Sequence, residues 1–250
     1  MQRFIAVVFL ILAATPSLAQ SSLGIQGLDL QFGTSEDESG NAQTDVQARL
    51  DVAITSVHGF QGDVAFSDTD QGLIGQLGAH LYMTPATGQK YGVFASLSDV
   101  DGRMMTWGSL GVEGMLALSD ATVIEGRAGM GISDVDSLDY IFADMALIYA
   151  AFDNFDIETA LTLTDFDEAR FRALSYDVSA TARYSAQNAP WGVYAKVAQS
   201  GLSGRDGAGA KTRFGFGVSM SFGHSGGIAP KTRPFRVVDP VAPLVRRDLW

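Results

Sequence analysis

Residues 211–222 read Lys-Thr-Arg-Phe-Gly-Phe-Gly-Val-Ser-Met-Ser-Phe. Phe214, Phe216, Val218, Met220 and Phe222 fall on one parity; Arg213, Gly215, Gly217, Ser219 and Ser221 fall on the other. Successive side chains of an extended chain point to opposite faces, so this alternation builds one apolar face and one polar or small face. A helix would scatter the same residues around its circumference. The stretch therefore predicts a strand, with the roughly 9–11 residues that a tilted strand needs to cross a bilayer.

The same period of two recurs along the chain. Val46, Leu50 and Val52 alternate with Gln47, Arg49 and Asp51, and Val178, Ala180 and Ala182 alternate with Ser179, Thr181 and Arg183. About twelve such runs are legible: 22–33, 44–54, 59–67, 73–83, 91–98, 104–118, 122–132, 139–151, 155–165, 171–185, 190–199 and 212–222, the first changing register near Gly27. Short connections (55–57, 119–121, 154, 186–190) alternate with longer acidic or glycine-rich ones (34–43, 99–103, 200–211). Alternating short and long connections between amphipathic strands predict an all-β fold, a single antiparallel transmembrane β-barrel of up-and-down topology. Placing the short turns at one level puts Phe60, Tyr91, Tyr149, Phe155, Tyr184, Trp191 and Phe222 on the outer face at that level, an interfacial girdle.

Composition agrees and excludes other classes. The 250 residues are 46% hydrophobic and only 18% charged, which is too apolar for a disordered chain. There is no cysteine, hence no disulfide framework and no thiolate chemistry. A formal charge of −11 argues against nucleic acid as a partner. Met1-Gln-Arg3, the apolar run 4–14 and the small residues ending at Ala19 read as a secretory signal peptide over 1–19, sending the chain to the outer membrane.

Together the leader, the alternating strands and the glycine-containing final strand ending in Phe222 resemble the Gram-negative outer-membrane β-barrel, porin-like superfamily, over residues 20–222. The resemblance names no specific member. It implies contact with outer-membrane lipid and lipopolysaccharide, and handling by the barrel assembly machinery. In that superfamily the final strand usually closes the chain, whereas here 28 residues follow Phe222. Residues 223–250 hold four prolines and a net charge of +3, against −15 for residues 20–222. That segment reads as an unfolded, Pro-rich basic periplasmic tail, or one that contacts an anionic periplasmic partner.

Two sets of charged residues carry functional expectations. Inward parity gives a candidate pore lining of Arg49, Asp63, Glu113, Glu125, Arg127, Asp177, Arg183 and Lys196, with Arg49–Asp63, Glu113–Arg127 and Asp177–Lys196 expected as cross-strand pairs. These charges either fill a narrow lumen or line a water-filled pore. Small inward residues (Ala160, Thr162, Thr164, Ser179, Thr181, Gly215, Gly217, Ser219, Ser221) favour an opening on their side of the barrel. The second set is a repeated Ser/Thr-Asp-x-Asp motif at the ends of strands: Asp68 and Asp70, Asp99 and Asp101, Asp134 and Asp136, Asp165 and Asp167. An extracellular ring of hard oxygen ligands would suit Ca²⁺ or Mg²⁺, although the spacing is not that of a calcium loop; the same residues also suit solvated strand ends. No other cofactor is expected.

An enzyme is not expected, because none of His58, His80 and His224 falls beside a serine on the outer face. The sequence thus predicts a narrow, passive, cation-preferring porin for small solutes. The alternative is a structural or adhesive barrel that transports nothing and carries an acidic, divalent-cation-binding rim.

Overall fold

The computed structural model describes residues 24–249 apart from 103, 104, 135–137, 169, 188 and 224–226; the signal-peptide reading and Asp136 lie outside the described residues. Twelve strands follow one another: β1 (Ile25–Asp37), β2 (Ala42–Ala53), β3 (His58–Thr69), β4 (Gly72–Ala86), β5 (Gln89–Val100), β6 (Thr106–Ser119), β7 (Thr122–Ser133), β8 (Asp139–Phe152), β9 (Phe155–Asp167), β10 (Arg172–Ser185), β11 (Trp191–Ser203) and β12 (Ala208–Phe222). Each pairs antiparallel with its sequence neighbours, and β1 closes on β12 from Leu28 opposite Phe222 to Asp37 opposite Arg213. Closure leaves no unpaired edge, the condition for a sheet to stand in lipid. The first strand carries a register shift between Ile25 and Gly27, where its alternation breaks in the sequence.

Parity decides which side chains meet which medium. The apolar set faces outward as a continuous band, and Leu77, Val112 and Phe216 are each more than half exposed. A soluble monomer rarely shows an apolar patch beyond a few hundred Å². Phe60, Tyr91, Tyr149, Tyr184 and Trp191 are exposed on the same outer face, at the lower end of the barrel, where its first strand begins and its last strand finishes.

The tail departs from its sequence reading. Residues 227–249 are neither extended into solvent nor unfolded: they enter at the lower end and run up inside the barrel. Ile228 and Phe235 pack in a lower apolar layer with Tyr82, Met115, Val123 and Ile148. Val241, Leu244 and Val245, the last two in the single helical turn α1 (Ala242–Val245), pack in an upper layer with Phe94, Trp107, Tyr140, Phe142 and Phe166. The inward faces of β4–β9 are therefore apolar at two heights, where sequence reading expected only polar or small residues. The physical reason is complementarity: Phe235, Val241 and Leu244 are too apolar to favour water, and an acidic barrel attracts a segment of net positive charge.

Candidate functional site: the divided lumen

A chain segment inside a closed barrel cannot join the sheet, so its backbone groups must be satisfied by wall side chains. Four prolines in residues 223–250 lower the number of N–H donors that need partners. Several of the remaining groups are met by wall side chains. Gln61 clasps Phe235 in both directions: its amide Nε2 donates to the Phe235 carbonyl at 3.0 Å, and the Phe235 N–H donates to Oε1 at 2.8 Å. Lys90 donates to the Arg233 carbonyl (3.0 Å), Arg127 to that of Arg236 (2.8 Å) and Gln76 to that of Val238 (3.0 Å). Higher up, the Trp107 indole donates to Asp239 Oδ1 at 2.9 Å.

Between the two apolar layers lies a belt of buried charge. Arg233 donates to Glu158 Oε2 at 2.7 Å, and Arg236 pairs with Asp144 and, at 3.4 Å, with Glu125. His80 is held between Asp63 (2.7 Å) and Glu113 (2.6 Å), with the Phe235 ring stacked 5.7 Å from its own. Both imidazole nitrogens are thus engaged by carboxylates; His58 opens β3, its ring hydrogen-bonded to Thr55 at 3.0 Å. His224 lies outside the described residues.

The eight candidate lining residues all face inward, but the tail divides them into two groups. Asp63, Glu113, Glu125 and Arg127 are buried against the tail or beneath it. Arg49, Asp177, Arg183 and Lys196 line an open cavity of about 260 Å³ on the other side, along β9–β12 and β1–β3. Six of the small residues expected to favour an opening (Ala160, Thr162, Thr164, Ser179, Thr181 and Gly215) line it too. Arg49 faces Asp63 and Glu113 faces Arg127 across their ladders, the latter pair at 2.9 Å. The Asp177–Lys196 pairing is corrected by the register: Asp177 lies opposite Ser200 and Lys196 opposite Thr181, because the β10–β11 turn closes from Ser185 and Gly192. Asp177 instead has Arg246 of the tail at 3.9 Å.

Charge in the cavity is unevenly paired. Six cations line it (Arg49, Arg183, Lys196, Arg213, Arg236, Arg246) against four carboxylates (Asp45, Glu158, Asp177, Asp239). Arg183 and Arg236 are held by acids. Among the described residues Arg49 and Lys196 form no ion pair, and the Arg49 Nε is buried without a hydrogen-bond partner.

At the upper rim the repeated acidic motif obeys strand parity. Ser98, Ser133 and Thr164 point inward and are buried, as are Val100 and Phe166, while Asp68, Asp70, Asp99, Asp101, Asp134, Asp165 and Asp167 are exposed. The carboxylates on the strands therefore face away from the lumen rather than converging on a common centre. Among the described residues no three acidic or histidine side chains come together to hold a metal ion.

No family model matches the chain, and no curated protein matches it in sequence. Solved structures do. The NanC porin is similar at a TM-score of 0.57 and 10% identity, over 77% of this chain and 98% of the porin. An outer-membrane channel from Pseudomonas putida F1 gives 0.55 and 11%, over 84% of this chain and all of that one. The KdgM porin gives 0.54 and 11%, over 78% of this chain and 99% of the porin. At such identities the likeness is one of architecture, and this chain has the closed antiparallel barrel fold of outer-membrane porins and channels.

Proposed function

We propose that the protein is an outer-membrane channel that passes small anionic solutes along the side of the lumen its own C-terminal segment leaves open. The outward apolar band and its aromatic girdle support a lipid setting, with the lower end toward the periplasm. The observation that carries the solute class is the unpaired Arg49 and Lys196 on the cavity wall, among neutral hydrogen-bonding groups such as Gln47, Ser179 and Thr181. Where walls of low dielectric confine an ion, unpaired charges of one sign raise the local concentration of the other. The acidic motif, read from sequence as a cation-concentrating ring, projects outward and lies beyond the conduit. The lining therefore favours anions over cations.

Single-channel recording in planar bilayers tests this. Refolded mature protein in a KCl gradient is expected to give small conductances with a reversal potential on the chloride side. Changing both Arg49 and Lys196 to glutamate should move it to the potassium side. Salt should weaken the preference, since the Debye length falls from about 10 Å at 0.1 M to about 3 Å at 1 M. Cation preference in the unmodified protein would overturn the solute class. The two apolar layers packed within the lumen favour a second reading, a barrel that transports nothing; a folded barrel silent in every salt is its signature.

A further inference from the structure

The C-terminal segment is bound to the barrel quite differently from the way the barrel is bound to itself. Every strand is joined to two others by a continuous ladder, whereas residues 227–249 contribute no strand to the closed sheet. Their attachment consists of side-chain hydrogen bonds, the ion pairs of Arg233, Arg236 and Arg246, and the apolar anchors Ile228, Phe235, Val241, Leu244 and Val245. Withdrawing the segment would break none of the ladder. The connection from β12 begins and ends at glycines with left-handed backbone, Gly223 (φ 83°) and Gly227 (φ 88°), a conformation open to glycine at little cost.

What the segment covers has the opposite charge to what it leaves open. Beneath it, β2, β3, β6, β7, β8 and β9 present Asp51, Asp63, Glu113, Glu125, Asp144 and Glu158, all buried. On that side the wall itself supplies the fixed cations Lys90 and Arg127, with Arg183 at the margin against Glu158. Arg233 and Arg236 complete the neutralisation. The tail also provides two of the six cations of the open cavity, Arg236 and Arg246. Removing it would subtract positive charge from one side and uncover negative charge on the other.

We infer that the C-terminal segment is a removable selectivity element: seated, it leaves a narrow basic conduit that favours anions, and withdrawn, it converts the lumen into a wider pore lined by carboxylates that favours cations. The inference rests on the anion-channel reading for its seated state. The seated form is the resting one, because withdrawal exposes the apolar walls around Trp107 and Phe142 to water. The cation-favouring state is then a minor population whose share is set by the strength of the seat.

The test combines two readouts on the full chain. Arg233→Gln with Arg236→Gln removes the ion pairs to Glu158, Glu125 and Asp144. In bilayers this variant is expected to occupy a larger conductance state at least ten times more often than the unmodified protein, with the reversal potential moved to the cation side. In parallel, Val245→Cys introduces the sole thiol, since the chain has no cysteine, at a fully buried tail position. Its modification by a charged, membrane-impermeant maleimide should be slow in the otherwise native chain and at least tenfold faster when the two arginines are replaced. Unchanged size, sign and labelling would overturn the inference and leave the anion conduit standing. A silent native protein beside a variant that conducts only cations would uphold the removable, cation-favouring half of the inference and overturn the seated conduit. Silence in both, with the thiol protected in both, would overturn the two together.

Discussion

Phe235→Ala is expected to unseat the C-terminal segment while leaving the barrel closed. The ring is completely buried, stacked on His80, edge-on to Tyr82 and within 4.7 Å of the Lys90 ammonium. Truncating a buried phenylalanine to alanine costs about 3–5 kcal/mol when the site does not collapse, and here the barrel wall prevents collapse. The loss falls on the docking equilibrium, because no ladder bond involves the tail. At about 1.4 kcal/mol per factor of ten, trypsin cleavage after Lys231 and Arg236 should accelerate on the order of a hundredfold or more, read by mass spectrometry of the released peptide. The trimmed barrel should keep its β circular dichroism and its heat-modifiable gel mobility. Cleavage at the native rate would show that the ring does not hold the segment.

Val178→Arg should be the most damaging single change on the outer surface. Val178 is 47% exposed near the middle of β10, at a level that the proposed membrane setting places in hydrocarbon, and its neighbour Ser179 lines the cavity. A cation near the midplane on the lipid face costs about 2–4 kcal/mol, whereas one on the lumen face meets water. Denaturant unfolding from detergent or vesicles should therefore separate Val178→Arg from Ser179→Arg by most of that difference. The second variant should instead add to the anion preference. Equal destabilisation would contradict the assignment of faces.

These two positions also show what the sequence makes legible. Lipid is a uniform solvent, so every outward position must be apolar, and parity alone locates Val178, Leu77 and Phe216. All twelve strands are visible for that reason. Their upper ends are not: β1 continues to Asp37 and β11 to Ser203, through Thr-Ser-Glu-Asp and Ser-Gly-Leu-Ser, where outward residues such as Thr34, Glu36 and Ser203 are polar and exposed and apolar alternation carries no signal. The loops at 34–43 and 200–211 accordingly shrink to a few residues.

Inward positions were legible one at a time but not in combination. The faces of Asp177 and Lys196 were correct, yet their pairing depended on where the turn closes, and a shift of four residues put Ser200 and Thr181 opposite them. The tail departs further from its sequence expectation. Prolines and basic residues suggest an unfolded strip, and they do so because in most proteins such a strip has only water for company. The signals that it had a partner were present: Phe235, Val237, Val238, Val241, Leu244 and Val245 within a short span, and a barrel of opposite net charge. Likewise, the inward Trp107, Tyr140, Phe142 and Phe166 mark a wall that expects an apolar occupant. His80 and Gln61, which grip Phe235, carry no sequence signal beyond inward parity.

A lumen filled by the chain's own C-terminal end imposes an order on the molecule's assembly. The strand that seals the cylinder is an internal stretch of the chain, and the filling emerges after it in synthesis. If the cylinder seals first, the filling threads upward through one mouth, and its apolar anchors pass the charged belt before reaching the upper layer. If the filling collapses onto the open sheet first, sealing occurs around it as around a mandrel. The two histories leave different traces in time: in the first, resistance of the cylinder to heat precedes resistance of the tail to protease, and in the second they arrive together.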